Sequence, residues 1–171
     1  ELKAGATHPS PTRRLLLGQV AEYLDRNEEA LAWYQNVPGG EAQAVANLRR
    51  ASVLHALGRK PAAFEVLRAL QSDVTVEDEA QRDAYLLEAE LRLKDGDAAG
   101  ELDAYGRGLA AFADDKALLY SRALLWERRD DIAKAEADFR RILVIDADDV
   151  DALNALGYTL ADRTDRYQEA L

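Results

Sequence analysis

Residues Asp151–Leu171 read DALNALGYTLADRTDRYQEAL. Leu153, Leu156, Gly157 and Leu160 stand at i, i+3, i+4 and i+7, which is one face of an α-helix. DRTDRYQ follows as a turn, with Asp165 placed to cap a second helix, and a new amphipathic pattern opens at Ala170. A helix, a short turn and the start of another helix form one unit, and the same unit recurs along the chain.

The recurrence shows first in small residues set within helical patterns. Gly18, Ala51, Ala89, Ala123 and Gly157 are separated by 33, 38, 34 and 34 residues, a period in the range of repeat architectures. About twelve residues behind them runs a second series, Ala30, Ala63, Glu101, Ala135 and Ala170. Around the second series, Asn27, Ala30, Tyr34 and Val37 share a helix face, and Lys60, Ala63, Leu67 and Leu70 repeat it one period later. Ile132, Ala135, Phe139 and Ile142 do so again. Two small residues per period imply two close helix contacts per period.

The turns carry matching punctuation in LDRNEE, LGRKPA, KDGDAAG and RRDDIAK. Gly58 and Gly96 suit the left-handed end of a helix. Asp97 and either Asp130 or Asp131 suit the cap of the next one, and Pro61 fits a first helical turn. Pro38 with Gly39 and Gly40 is expected to end a helix firmly. The single long spacing coincides with QSDVTVED, Gln71–Asp78, which reads as an inserted loop.

Composition agrees with an all-helical chain. Ala, Leu, Glu, Asp and Arg dominate, Pro occurs only four times, and 32 acidic against 22 basic residues give a net charge of −10. Such a surface repels phosphate and anionic lipid, so neither nucleic acid nor a membrane surface is an expected ligand. With no Cys there is no disulfide framework, thiolate metal site or cysteine nucleophile.

On these residues the chain resembles the tetratricopeptide repeat (TPR) family. The resemblance rests on the helix-turn-helix period, on LGYTL at 156–160, on EALAWYQ at 29–35 and AEADFRR at 135–141, and on DADD at 146–149 between repeats. It covers residues 11–171 and implies an all-α, right-handed superhelical solenoid, with repeats at about 11–43, 44–81, 82–115, 116–149 and a partial one at 150–171. Helix pairs are expected at 12–37, 42–71, 78–110 and 116–145, with a fifth first helix at 150–162. Arg50, Glu88 and Arg122 occupy a slot that is usually apolar, and Glu101 and Gly108 depart from the pattern too, so the third repeat should be the most irregular. ELKAG, closed by Gly5, reads as the last turn of an earlier helix. The expected whole is a window from a longer solenoid. Leu153, Leu156, Tyr158 and Leu160 would then lack a covering helix, and either self-association through the C-terminal end or fraying beyond about Asp162 is expected.

No residue set points to catalysis, a cofactor or a metal. His8, in the loop THPSP, and His55, on a first helix, are the only histidines. Asp146–Asp151 begins like a calcium loop, but Asp151 and Gly157 stand where such a loop needs Gly and a bidentate Glu. Its carboxylates are better placed to meet a helix N-terminus. YGRGLA at 105–110 lacks a phosphate-binding pattern. Trp33, Tyr34, Trp126 and Phe139 fall at core slots. The expectation is a non-enzyme.

What such a fold offers is a surface. In this family the first helices line the concave face, which implies a groove holding Leu48, His55, Leu86, Glu90, Tyr120, Leu124, Asn154 and Tyr158, with Leu15, Gln19, Ser52 and Leu93 nearby. Those side chains do not form the Lys, Asn and Arg clamp that grips a terminal carboxylate. The resemblance implies a protein or peptide partner and a scaffold role. LGQVAEYLDRNEEALAWYQNV at 17–37, together with 151–171, is similar to outer-membrane TPR lipoproteins of Gram-negative bacteria. Among these are adaptors for a periplasmic carboxyl-terminal processing protease. A location on the periplasmic side of the outer membrane follows from that likeness, with the cytoplasm as the alternative. Competing expectations are a structural part of an envelope or secretion machine and the regulatory arm of a larger enzyme.

Overall fold

The computed structural model describes residues 9–163, and among them lie nine α-helices and no strand. They are α1 (Pro11–Tyr23), α2 (Asn27–Tyr34), α3 (Glu41–Ala56), α4 (Lys60–Gln71), α5 (Asp78–Lys94), α6 (Ala98–Ala111), α7 (Lys116–Arg128), α8 (Ile132–Ile145) and α9 (Val150–Arg163). All the expected helix pairs are present, and the insert after Gln71 is a set of turns. His8, Gly5, Asp165 and Ala170 lie outside the described residues.

Capping follows the short polar residues. Ser10, Asp97, Asp115 and Asp131 each accept a bond from the backbone amide three residues on, satisfying a donor that the first turn leaves open. Asp149 does the same for Ala152 at 3.0 Å, which gives the acidic 146–151 segment its structural role. Asp131, rather than Asp130, is thus the cap of α8. Asp130 instead takes a left-handed conformation with φ 60°, matched by Asp25 at 55°, Gly58 at 75° and Gly96 at 71°. All four turns within pairs use the same backbone device. Glycine takes it freely and aspartate is among the few other residues that tolerate it. Pro38 does not itself end α2. The helix stops at Tyr34 and tightens into bonds from Asn36 N to Trp33 O and from Val37 N to Tyr34 O, each 3.2 Å.

The chain divides into two compact units, one up to Gly96 and one from Asp97. In the first unit α1 lies beside α3 and α3 beside α5, while α2 packs on α1 and α3, and α4 on α3 and α5. In the second, α7 pairs with α8, α6 packs on α7 and α9 on α8. The division falls inside the third repeat, where the sequence pattern is least regular.

Both series of small residues sit where helices meet. Ala51, Ala89, Ala123, Ala30, Ala63 and Ala135 are wholly buried, and Gly18 is buried as well. One turn after each second-series position stands a large core residue, namely Tyr34, Leu67, Tyr105 and Phe139, all buried. Burying such a side chain stabilises by ~1.5–3 kcal/mol, provided that the facing helix leaves room. At Gly18 the room is absolute, since a Cβ there would lie 2.3 Å from a carbon of the Tyr34 ring. Gly157 differs from the others in being only half-buried. Trp33 and Trp126 are half-buried too, packing on the edges of their clusters rather than within them.

Glu88, Glu101 and Arg122, charged residues at otherwise apolar or small slots, are accounted for by buried polar pairing. Glu88, 1% exposed, accepts a bond from Gln71 Nε2 at 2.8 Å and lies 3.5 Å from the Arg92 guanidinium. Glu101, which replaces a small residue on α6, is gripped by Arg128 and Arg129 at the end of α7. Arg122 holds the buried Asp138 with two bonds, at 2.8 and 2.7 Å. A buried ion pair adds little net stability, but removing one partner costs ~3–5 kcal/mol because the other charge is left dry.

Two substitutions separate these contributions in thermal melts. Ala135→Leu overpacks a wholly buried contact and is expected to cost ~1–3 kcal/mol. Asp25→Gly relieves a left-handed backbone at an exposed turn and is expected to stabilise by about 0.5–1 kcal/mol. An unchanged melting temperature in either variant contradicts the corresponding assignment.

Candidate functional site

The expected groove residues fall into two groups, one on each unit. On the first unit, α3 carries Leu48 and His55, and α5 carries Leu86 and Glu90. Leu48 is half-buried against the cluster of Ala44, Ala51 and Phe64. His55 is engaged within the fold, its Nε2 lying 3.0 Å from Asp95 Oδ1 and its ring meeting Phe64 edge-on at 6.2 Å. Lys60 Nζ reaches the same Asp95 oxygen at 2.6 Å. The lysine, foremost, and His55 hold the Asp95 carboxyl below its ordinary pKa. This knot ties the end of α3 and the start of α4 to the end of α5. Leu86 is half-buried, and Glu90 is exposed and bound to Lys94 on its own helix at 2.6 Å.

On the second unit, α7 carries Tyr120 and Leu124, and α9 carries Asn154 and Tyr158. Tyr120 is half-buried and stacks edge-to-face on Phe139 at 5.6 Å. Burial, followed by the nearby Asp151, Glu127 and Asp149 carboxylates, pushes its hydroxyl pKa up. Leu124 packs on the same core cluster. Asn154 is exposed and Tyr158 is 67% exposed. One turn apart, these two share a face of α9. Glu127 accepts a bond from Thr159, which joins α7 to α9. Of the eight residues, Glu90, Asn154 and Tyr158 therefore offer themselves most openly, while His55 and Tyr120 also serve the fold.

A feature that periodicity does not reveal lies at the start of the helices. In the first unit a cleft of about 610 Å³ opens where α3 and α5 begin, lined by Glu41, Val45 and Leu48 from α3 and by Val76, Glu77 and Glu79 from the inserted loop and α5. A smaller one, about 320 Å³, lies in the second unit among Lys116, Tyr120, Asp149 and Asp151. Among the described residues no group of three or more His, Asp or Glu side chains is arranged to hold a metal, and no helix is long and apolar enough to cross a membrane.

No family model matches the chain. Over 157 residues, 90% of its length, it is 38% identical to a TPR repeat-containing protein of Pseudomonas aeruginosa, and it spans 26% of that protein. Among solved structures, it resembles the MamA protein with a TM-score of 0.61 at 17% identity, covering 94% of this chain and 85% of that one. A tetratricopeptide repeat protein of Parabacteroides merdae gives 0.63 at 16% identity, covering 94% and 63%. YrrB, described as a TPR protein with an unusual peptide-binding site, gives 0.56 at 16% identity, covering 92% and 81%. At such identities the likeness is one of fold, and it agrees with the paired helices, the small residues between them and the period that spaces them. The chain folds as a helical repeat of the tetratricopeptide type.

Proposed function

We propose that this chain is a non-catalytic scaffold that holds a protein or peptide partner on the faces of its first helices. The observation that carries this reading is the outward placement of large apolar side chains on those helices. Val45 is 41% exposed, Leu93 45%, Leu153 46% and Tyr158 67%. Rings and aliphatic chains standing in water beside polar neighbours such as Asn154 and Glu90 are the material of an interface. The peptide-binding site ascribed to YrrB supports the same class of partner.

The finer reading is an adaptor, the TPR region of an envelope lipoprotein on the periplasmic side of the outer membrane, which recruits or activates a carboxyl-terminal processing protease. The likeness of 17–37 and 151–171 to such adaptors supports it, as does the similarity to a TPR protein of a Gram-negative bacterium.

The coarse reading is tested at Tyr158 and Asn154. Both are exposed, so Tyr158→Ala with Asn154→Ala leaves the core intact, which Tyr120→Ala would not. The double variant is expected to weaken capture of the natural partner by more than ~2 kcal/mol, the hot-spot threshold, with helicity by circular dichroism unchanged. Undiminished binding contradicts this placement. For the finer reading, the chain mixed with a purified carboxyl-terminal processing protease of the same cell should co-elute with it and quicken cleavage of its substrate. Separate elution with unchanged cleavage contradicts the adaptor role.

A further inference from the structure

Each cleft lies where two successive first helices begin, and the two differ in whether a cation stands among their acids. Glu41 is the first residue of α3 and Lys116 the first of α7. Glu77 stands immediately before α5 and Asp149 immediately before α9. In the second unit Lys116 Nζ bridges Asp146 and Asp149, 2.7 Å from each. Those two hydrogen bonds raise its pKa. There the chain supplies its own cation. In the register that pairs Ala51 with Ala123, Lys116 corresponds to Ala44, so no Lys or Arg lines the first cleft and the acids Glu41, Glu77 and Glu79 stand at its rim without one.

The first cleft is also wider, for a visible reason. Leu48, three residues before Ala51, stands where α7 carries the Tyr120 ring three residues before Ala123, and the connection before α5 spans residues 72–77 against 146–149 before α9. A smaller side chain and a longer loop leave a floor of Val45, Leu48, Val76 and Ala80 beneath a rim of Glu41, Glu77 and Glu79. Acids at helix starts commonly serve the helix alone, through caps and the dipole. Glu77 makes no side-chain cap bond. Among the described residues neither it nor Glu41 has an ion-pair partner, whereas Glu79 and Asp83 share Arg82. The dipole accounts for an acid at each helix start but not for an open apolar floor below.

We propose that this cleft receives a lysine or arginine side chain carried on an aliphatic peptide segment of a partner. Such a side chain lays its methylene stem on apolar surface and holds its charge at the rim, which is the order of surfaces found here. A bound metal fits less well, since the carboxylates do not converge into a coordinating group. The chain's net charge of −10 favours encounter with a cationic segment. The proposal rests on the reading of the chain as a binding scaffold and specifies the partner's chemistry at one site.

The test uses the full 171-residue chain and two blocked peptides, acetyl-Ala-Val-Arg-Leu-Ala-amide and its counterpart with Glu in place of Arg, followed by amide shifts in NMR titrations. The Arg peptide is expected to move resonances of Val45, Leu48, Val76 and Ala80, more weakly as salt is raised, and the Glu peptide to leave them still. Glu41→Lys, which reverses the charge at the rim, should weaken Arg-peptide binding at least five-fold. Glu65→Lys, the same charge change on the exposed side of α4, should preserve it. Silence at the cleft, equal binding of both peptides, equal losses in the two variants, or shifts produced there by calcium chloride alone at sub-millimolar concentration would each overturn the proposal. The titration needs no natural partner. A failed partner capture therefore leaves it standing, and a silent titration leaves the scaffold reading intact.

Discussion

Two helices can approach closely only where one of them has almost no side chain, and this constraint sets the pattern of the whole chain. In the pairs α1–α2, α3–α4 and α7–α8 the first helix offers Gly18, Ala51 or Ala123, and the second offers Ala30, Ala63 or Ala135 in return. The space so created is filled by one large residue of the second helix, most tightly where the Tyr34 ring lies over Gly18. That ring is fixed at its far end too, since its hydroxyl donates to Glu22 at 2.6 Å. Each contact is local in sequence, which lets one unit be repeated with little change. Because every repeat needs its neighbour to complete the burial, stability accrues pair by pair along the array.

The third repeat shows what happens when the constraint is relaxed. Glu101 replaces the small residue on α6, and close packing gives way to an ionic grip by Arg128 and Arg129 of the next repeat. Glu88, with Gln71 and Arg92, performs a similar office between α4 and α5, and Arg122 with Asp138 between α7 and α8. Apolar slots accept any neighbour of about the right size, whereas a buried carboxylate accepts only the repeat that brings its cation. Gln71 with Glu88 and Glu101 with Arg128 join adjacent repeats and so discriminate among stackings of similar hairpins, at some cost in desolvation, while Arg122 with Asp138 acts within one repeat.

Much of this fold was legible in the sequence because small residues, turn residues and apolar spacing are local signals. The long connection before α5 was visible as β-branched and polar residues, and the helix ends followed Gly58, Gly96 and Pro61. Asp25 and Asp130 were not recognised as left-handed turn residues, since an aspartate there looks the same as a cap. Glu88, Glu101 and Arg122 stood out as exceptions, but their partners depend on how helices are set against one another. The candidate surface was harder to read. His55 lies on a first helix as expected, yet its partner Asp95 is 40 residues away, and periodicity cannot show that the ring is already engaged. Nor could it show that Tyr120 rests on Phe139, or that Glu41 stands at the rim of a cleft.

The account stands most directly on the Gly18–Tyr34 contact, and a double-mutant cycle measured by chemical denaturation tests it. In the presence of Tyr34, Gly18→Ala should destabilise by ~1–3 kcal/mol, since the ring cannot leave without breaking its bond to Glu22. In a Tyr34→Ala background the collision is gone, and the same substitution should stabilise by roughly 0.5–1 kcal/mol through helix propensity alone. A change of sign between the two backgrounds is the predicted result. The same sign and size in both would contradict the claim that close approach at a small residue holds the helix pairs together.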